Sequence, residues 1–138
     1  MGYLLDTSLI IAYLRSRSGI VEYVSGLEAE LTTSYICIAE LFEGVHKSSN
    51  LESAESGVLT FCSGLSDIFG LDLDIAKKFG QIKAHLQSSG QVIDDLDILI
   101  ASTALKHNLT LVTLNPKHFS RVPHLKILTP SPYSSASS

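Results

Sequence analysis

The sequence predicts an α/β fold in which a mostly parallel sheet lies between layers of helices. Short apolar or β-branched segments alternate along the chain with longer segments whose apolar residues recur at helical spacing. Hydrophobic residues make up 45% of the 138 residues and charged residues 17%, which is typical of a chain that buries a core. Since we find no repeat and no linker, we expect one domain over residues 1–129 and a disordered Ser/Pro-rich tail over 130–138.

The first half of the chain predicts two strands and three helices. Tyr3-Leu4-Leu5 is an apolar run of the length of a short buried strand. A helix follows with Thr7 or Ser8 as its N-cap and reaches Leu14. The segment "ELTTS" at 30–34 resembles a strand because of its β-branched residues. Two further helices are expected at about 35–46 and 52–63.

The second half predicts two longer helices and two strands. Apolar residues at helical spacing, from Ile75 to Leu86, indicate a helix that ends at Gly90. The next helix, "DDLDILIASTALKHN", carries Asp94 and Asp97 at the spacing of a capping box. The predicted strands are "LTLVTLN", which ends at an Asn-Pro turn, and "LKILTP".

Composition narrows the functional classes. The formal net charge of −4 argues against a broad basic surface for nucleic acid, although it permits a local basic patch. The two cysteines, Cys37 and Cys62, form no C-x-x-C pair, so the simplest interpretation is a reduced intracellular protein. Neither a signal peptide nor a stretch long enough to span a membrane is apparent, and we therefore expect a cytoplasmic protein without a membrane partner.

Three acids stand in apolar surroundings without a cationic residue nearby in the sequence. Asp6 follows the first strand, Glu40 lies inside "YICIAELF", and Asp97 faces Ile100, Ala101 and Ala104 of its own helix. A single such acid is usually a helix cap or half of an ion pair, and Asp97 in a first helical turn fits that explanation. Three together favour a shared divalent cation, and oxygen ligands favour Mg²⁺ or Mn²⁺. That equipment suits metal-assisted phosphodiester cleavage.

Four segments together resemble the PIN domain family, specifically the VapC-type toxin ribonucleases. They are "YLLDTSLIIAYL", "IAELFEGV", "DLDILIASTALKHNLTLVTLNPKHF" and "VPHLKIL", and they span roughly residues 3–128. The resemblance implies a three-layer α/β/α sandwich and a Mg²⁺- or Mn²⁺-dependent endoribonuclease. It also implies a homodimer that is inhibited by a cognate VapB-type antitoxin.

The resemblance assigns roles to individual positions. Asp6, Glu40 and Asp97 match the catalytic acids that hold the metal, and Thr7 and Thr113 match hydroxyl positions that support them. Many relatives carry a fourth acid just after the strand "LVTLN" or three residues further on, and here those positions are Asn115 and His118. We expect Asn115 to offer a neutral oxygen and the metal to be held more weakly. Asp94 and Asp95 are alternative sources of the missing charge, with N-capping the simpler role for Asp94.

The sequence permits two explanations for each residue that could contact a substrate or a partner. Candidate RNA-binding cations are Arg15, Arg17, Lys47 and Lys83, each of which is also explained as an ordinary solvated side chain. The predicted dimer surface includes some of the apolar residues Leu41, Phe42, Val45, Leu51, Val58 and Phe61, unless these residues all reach the core. Rival functions are a degenerate PIN-like module that binds RNA or protein without cleaving, and a small phosphatase or DNA nuclease with the same metal chemistry.

Overall fold

The strands and helices follow the predicted alternation. The structure, a computed structural model, describes residues 2–131; residues 132–138, which make up most of the predicted tail, lie outside the described residues. The elements in chain order are β1 Gly2–Leu5, α1 Thr7–Leu14, α2 Ile20–Ser25, β2 Glu30–Ser34, α3 Tyr35–His46, α4 Leu51–Ser63, β3 Asp67–Phe69, α5 Leu73–Ser88, α6 Asp95–Lys106, β4 Thr110–Val112, a 3-10 turn Pro116–His118 and β5 Ile127–Leu128.

The described strands form one parallel sheet in the order β3-β2-β1-β4-β5. The central strand β1 pairs Tyr3 with Leu31 of β2 on one side and with Thr110 of β4 on the other. The chain therefore builds outward from β1 to β3 and then returns to the other side of β1, so the strand order reverses between β1 and β4. In open parallel sheets, ligands bind outside the carboxyl ends of the strands at such a reversal. The predicted three-layer α/β/α class is confirmed.

Two elements and one helix cap differ from the sequence prediction. The N-cap of α1 is Asp6, whose side chain accepts a hydrogen bond from the Leu9 amide, and the helix begins at Thr7. Helix α2 has only six residues, and strand β3 has three residues at the edge of the sheet. Elements this short contain less than two turns of helix or two repeats of a strand, so their periodicity is not visible in the sequence.

The predicted dimer surface is partly core. Leu41, Val45 and Val58 are buried and belong to the main hydrophobic cluster, because α3 and α4 pack on each other. Phe42 and Phe61 are partly buried against the same cluster, and Leu51 is 43% exposed. The sequence predicts that some of these six residues lie on an intermolecular surface, and burial excludes Leu41, Val45 and Val58 from it. Within residues 2–131, none of the helices has both the length and the apolar character needed to cross a membrane.

Candidate active site

Asp6 is a buried carboxylate held by neutral donors. It follows β1, is 4% exposed, and its backbone amide donates to the Val112 carbonyl of β4. One carboxylate oxygen accepts from the Leu9 amide at 3.0 Å and from the Ser8 hydroxyl at 2.8 Å. The other accepts from the Thr113 hydroxyl at 2.6 Å. Burial raises the pKa of Asp6, these hydrogen bonds lower it in part, and the nearby charge of Glu40 raises it.

Two hydroxyls connect Asp6 to the segment that follows β4. The Ser8 hydroxyl, besides donating to Asp6, accepts from the Leu114 amide at 3.1 Å. The Thr113 hydroxyl donates to Asp6 and accepts from the Asn115 amide at 2.9 Å. Each hydroxyl therefore has its hydrogen on the carboxylate and its lone pair on a backbone amide. This arrangement fixes the start of the segment 113–122 relative to α1.

Glu40 reaches the same place from α3. It is partly buried, and one of its carboxylate oxygens accepts a short hydrogen bond from the Thr7 hydroxyl. Thr7 is the first residue of α1, so the bond joins the beginning of α1 to the middle of α3. Asp6 and Glu40 are thus held by consecutive residues of one helix start, although they are far apart in sequence.

Asp97 lies in the first turn of α6 and contacts an imidazole. Its carboxylate oxygen is 3.1 Å from Nδ1 of His118. Burial is the largest effect and raises the pKa of Asp97 to about 6, while His118 lowers it and the charges of Asp94 and Glu40 raise it. Asp94 caps α6, with its carboxylate accepting from the Leu96 amide at 3.1 Å. The predicted cap role of Asp94 is confirmed.

These side chains share a pocket of about 340 Å³. Its lining consists of two apolar residues, four acids and four other polar residues: Asp6, Thr7, Ser8, Ile11, Glu40, Asp94, Asp97, Ile100, Asn115 and His118. Among these described lining residues there is no Lys or Arg. The acids raise one another's pKa values, Glu40 that of Asp6 and both Glu40 and Asp94 that of Asp97. The pocket therefore concentrates negative charge at the place where the strand order reverses.

The donor set fits a hard divalent cation through its chemistry. Carboxylate and amide oxygens are ligands that Mg²⁺ and Mn²⁺ prefer, and Asp6 is buried without a cationic partner among the described residues. Within residues 2–131, no three His, Cys, Asp or Glu side chains are arranged as a ready ligand set. Mg²⁺ keeps several waters and takes only one or two carboxylates directly in many sites. A cation site is therefore compatible with the absence of three ready ligands among the described residues.

The predicted RNA-binding cations lie outside this pocket. Lys47 pairs with Glu43 at 2.9 Å, and Lys83 pairs with Asp95 at 2.7 Å. Arg15 lines a neighbouring groove that shares Ile11 with the acid pocket. Arg17 is exposed after the end of α1. Their contact with RNA stays a prediction, since it depends on how a strand crosses the surface.

Sequence reasoning missed the role of Ser8 and gave His118 no contact. The sequence predicts only a helix-cap role for Ser8, whereas its hydroxyl joins Asp6 to the Leu114 amide. A serine two residues after a strand-end aspartate is a weak signal, because the same pattern caps many helices. His118 follows Asn115 by three residues, and only the 3-10 turn between them brings its ring to Asp97.

Because the pKa of Asp97 is raised to about 6, the metal-free protein is expected to lose stability from this group as the pH rises. In the unfolded chain the same carboxyl titrates near 3.8, so between those values the folded state keeps a proton that the unfolded state releases. The contribution to the free energy of unfolding is therefore largest below pH ~4 and is lost above pH ~6. The variant Asp97→Asn does not titrate. Melting temperatures in EDTA should show wild type falling relative to this variant between those pH values.

The comparison with Asp97→Asn cancels the titrations of groups that do not interact with Asp97. Burial and the charge of Lys106 lower the pKa of His107 from its ordinary value of 6.5, so His107 makes the protein more stable as the pH rises toward that value. His107 is present in both proteins and leaves their difference unchanged. A difference in melting temperature that stays constant from pH 4 to pH 7 would contradict the prediction for Asp97.

Comparison with known proteins identifies the family to which this chain is similar. The PIN domain family matches residues 3–125. Ribonuclease VapC2 of Rickettsia felis is 34% identical over 130 residues, which cover 91% of this chain and 95% of that protein. Ribonuclease VapC2 of Haemophilus influenzae is 34% identical over 123 residues, covering 88% and 92% respectively.

Solved structures agree with the sequence matches. VapBC2 from Rickettsia felis, solved bound to a promoter DNA fragment, superimposes with a TM-score of 0.88 at 30% identity and covers 95% of this chain and 100% of the matched chain. The DNA-bound VapBC from Salmonella typhimurium gives a TM-score of 0.86 at 29% identity and covers 94% and 98%. With this fold, these sequence matches and nearly complete coverage, the chain belongs to the PIN domain family and, within it, to the VapC type.

Proposed function

We propose that the protein is the toxin of a toxin–antitoxin pair and cleaves RNA internally by hydrolysis of a phosphodiester bond, with Mg²⁺ or Mn²⁺ as its cofactor. The observation that carries the proposal is the pocket in which Asp6, Glu40 and Asp97 meet without a Lys or Arg among the described lining residues. The relatives named ribonuclease VapC support the reaction and the substrate. Since the substrate is RNA, we place the activity in the cytoplasm.

The acids have different parts in this proposal. Asp6, Glu40 and Asp97 would hold the cation, which would supply positive charge against the cleaved phosphate and would lower the pKa of a water molecule to make it a nucleophile. Thr113 and Ser8 orient Asp6 through their hydrogen bonds, and Thr7 orients Glu40. His118 orients Asp97 through the contact of its Nδ1 with the carboxylate. The reaction needs no covalent enzyme intermediate, because water attacks the phosphorus directly.

The variant Asp6→Asn should lose metal-dependent RNA cleavage by at least about a hundredfold, more than the loss of an outer-shell partner usually costs. It should nevertheless fold, because Asn is neutral and avoids the cost of burying a charge. That same burial raises the pKa of Asp6. Gel assays of RNA cleavage with Mg²⁺ and with Mn²⁺ measure the first effect. Melting curves measure the second, and millimolar Mg²⁺ should raise the melting temperature at neutral pH of wild type but not of the variant.

The same cleavage assays distinguish the ribonuclease from the rival function. A degenerate module that binds RNA or protein without cleaving is favoured by Asn115, which stands in the pocket where the resemblance leads us to expect an acid. If wild type binds RNA but shows no cleavage with either metal, the binding module is the correct reading. Cleavage that survives in Asp6→Asn would exclude Asp6 from the reaction and overturn the proposed mechanism.

The variant Asn115→Asp should tighten metal binding. A further carboxylate beside a dication, partly removed from water, is worth on the order of 1–3 kcal/mol, or roughly ten- to a hundredfold in affinity. The Mg²⁺ concentration for half-maximal RNA cleavage should fall by that factor, and Mn²⁺ titration by calorimetry should give the same shift. Asn115→Ala should cost less activity than Asp6→Ala, since it removes a neutral group.

An alternative role for Asn115 gives a different result. If its side chain only shapes the Asn-Pro turn, Asn115→Asp changes the melting temperature in EDTA and leaves the half-maximal Mg²⁺ concentration where it was. That outcome would leave Asp6, Glu40 and Asp97, with Asp94 beside them, as the charged groups of the pocket.

The proposed partners are RNA, a VapB-type antitoxin and a second copy of this chain. Matched VapBC structures contain the antitoxin together with the toxin, which supports the second partner. The homodimer is supported by apolar side chains that the described fold leaves exposed. Two of them, Leu51 and Leu59, lie on α4 and are 43% and 53% exposed, whereas Leu73 at the start of α5 is 74% exposed.

Sedimentation at ~50 μM should show a dimer, because an apolar interface of standard size holds at that concentration. We expect the double variant Leu51→Glu/Leu59→Glu to dissociate it, since the charges would face apolar surface, and Leu73→Glu to serve as the exposed control. Dissociation by Leu73→Glu alone would move the interface to the start of α5. A wild-type monomer at this concentration would refute the dimer.

A further inference from the structure

The segment 113–122 presents two cations to solvent beside the acid pocket. Phe119 and Val122 are buried at 1% and 4% exposure and anchor the segment in the core. Lys117 and Arg121 are exposed, and they lie on either side of Phe119. The segment thus buries apolar side chains in the core and exposes two positive charges to solvent.

The two cations are carried by a backbone that is fixed at the pocket. The Leu114 amide donates to Ser8, and the Asn115 amide donates to Thr113, so the segment begins on the hydroxyls that hold Asp6. Its 3-10 turn then places His118 3.1 Å from Asp97. Lys117 precedes His118 directly, and Arg121 follows it by three residues. Fixed positions lower the entropy that a bound strand must remove on contact.

These charges are available to a ligand. Lys47, Lys83 and Lys106 form ion pairs with acids, which offset their charge. Neither Lys117 nor Arg121 forms an ion pair within the described residues. The pocket itself is lined by four acids and repels a phosphate backbone. The segment 113–122 therefore offers unpaired positive charge to a strand that approaches the pocket.

We propose that Lys117 and Arg121 bind phosphates of the RNA strand that lie next to the phosphate being cleaved. The inference rests on the proposed function for the identity of the strand and adds where that strand enters. Contacts with phosphate position a strand without reading its sequence. The turn thus supplies binding and orientation, and sequence preference arises elsewhere on the surface.

The experiment uses the double variant Lys117→Ala/Arg121→Ala and a short fluorescein-labelled single-stranded RNA. The dissociation constant, measured by fluorescence anisotropy in EDTA, should rise roughly tenfold at low salt. For single strands the slope of log K against log salt is about −0.7 for each phosphate contact, so the slope should become less negative by about 1.4. In cleavage assays with Mg²⁺, KM should rise by a similar factor while kcat stays within about twofold.

A matched control removes the same total charge elsewhere. Lys77 and Lys126 are exposed and form no ion pair among the described residues. Lys126 precedes β5 at the edge of the sheet opposite the pocket. Lys77 shares a cleft with Lys106, which lies nine residues after Asp97 on α6 and so about 13 Å along the helix. Lys77→Ala/Lys126→Ala should leave the salt slope and KM near wild type.

The outcomes separate this inference from the proposed function. If wild type cleaves RNA but the Lys117/Arg121 variant keeps its affinity and salt slope, the inference is wrong and the ribonuclease stands. If wild type binds without cleaving and the variant loses affinity as expected, the RNA-binding role of Lys117 and Arg121 stands and the ribonuclease fails. An equal loss in the control pair overturns the inference, since a general charge effect would then explain both. The charge-keeping variant Lys117→Arg/Arg121→Lys should restore most of the affinity.

Discussion

The buried carboxylate of Asp6 is the constraint on which the arrangement of the candidate site depends. A charged group with 4% exposure and no cationic partner is costly, so every hydrogen bond that it accepts contributes to keeping the fold. Its partners come from the start of α1 and from the end of β4. The same bonds that satisfy the carboxylate therefore also fix the two elements around the reversal of strand order, and the fold and the pocket share one network.

The fold class could be predicted because the sequence alternates two kinds of segment with clear patterns. The long helices α5 and α6 show apolar residues at helical spacing, and the central strands β1 and β4 are short apolar runs. Helix α2 and strand β3 were not predictable from the sequence, because they form by packing against neighbours and are too short to show a periodicity of their own. The cap at Asp6 could not be predicted because Asp6, Thr7 and Ser8 are all preferred N-cap residue types and stand next to one another.

The acids of the site could be chosen from sequence, but most contacts could not. Asp6, Glu40 and Asp97 were selected because each interrupts an apolar face, and burial of a charge is a strong local signal. Whether they hold a metal stays a prediction. The bond from Thr7 to Glu40 and the contact of His118 with Asp97 join residues far apart in the chain, so only the folded backbone reveals them. Of the ion pairs of Lys47 and Lys83, only the first is a contact that the sequence spacing could indicate. The partner of Lys47 stands four residues away on the same helix, and that of Lys83 lies on another helix.

The negative pocket creates a problem that the rest of the surface must solve. A nuclease site that concentrates carboxylates for a cation also repels the phosphates of its substrate until the cation is bound. The total charge of −4 makes a broad basic surface an unsuitable answer in this chain. A short segment that is anchored by Phe119 and Val122 and carries two unpaired cations would be a local answer, since at physiological salt the screening length is only about 8 Å. Charges further away on the surface are largely screened from the pocket. In the proposed binding, what matters for a phosphate is therefore the position of Lys117 and Arg121 and not the net charge of the protein.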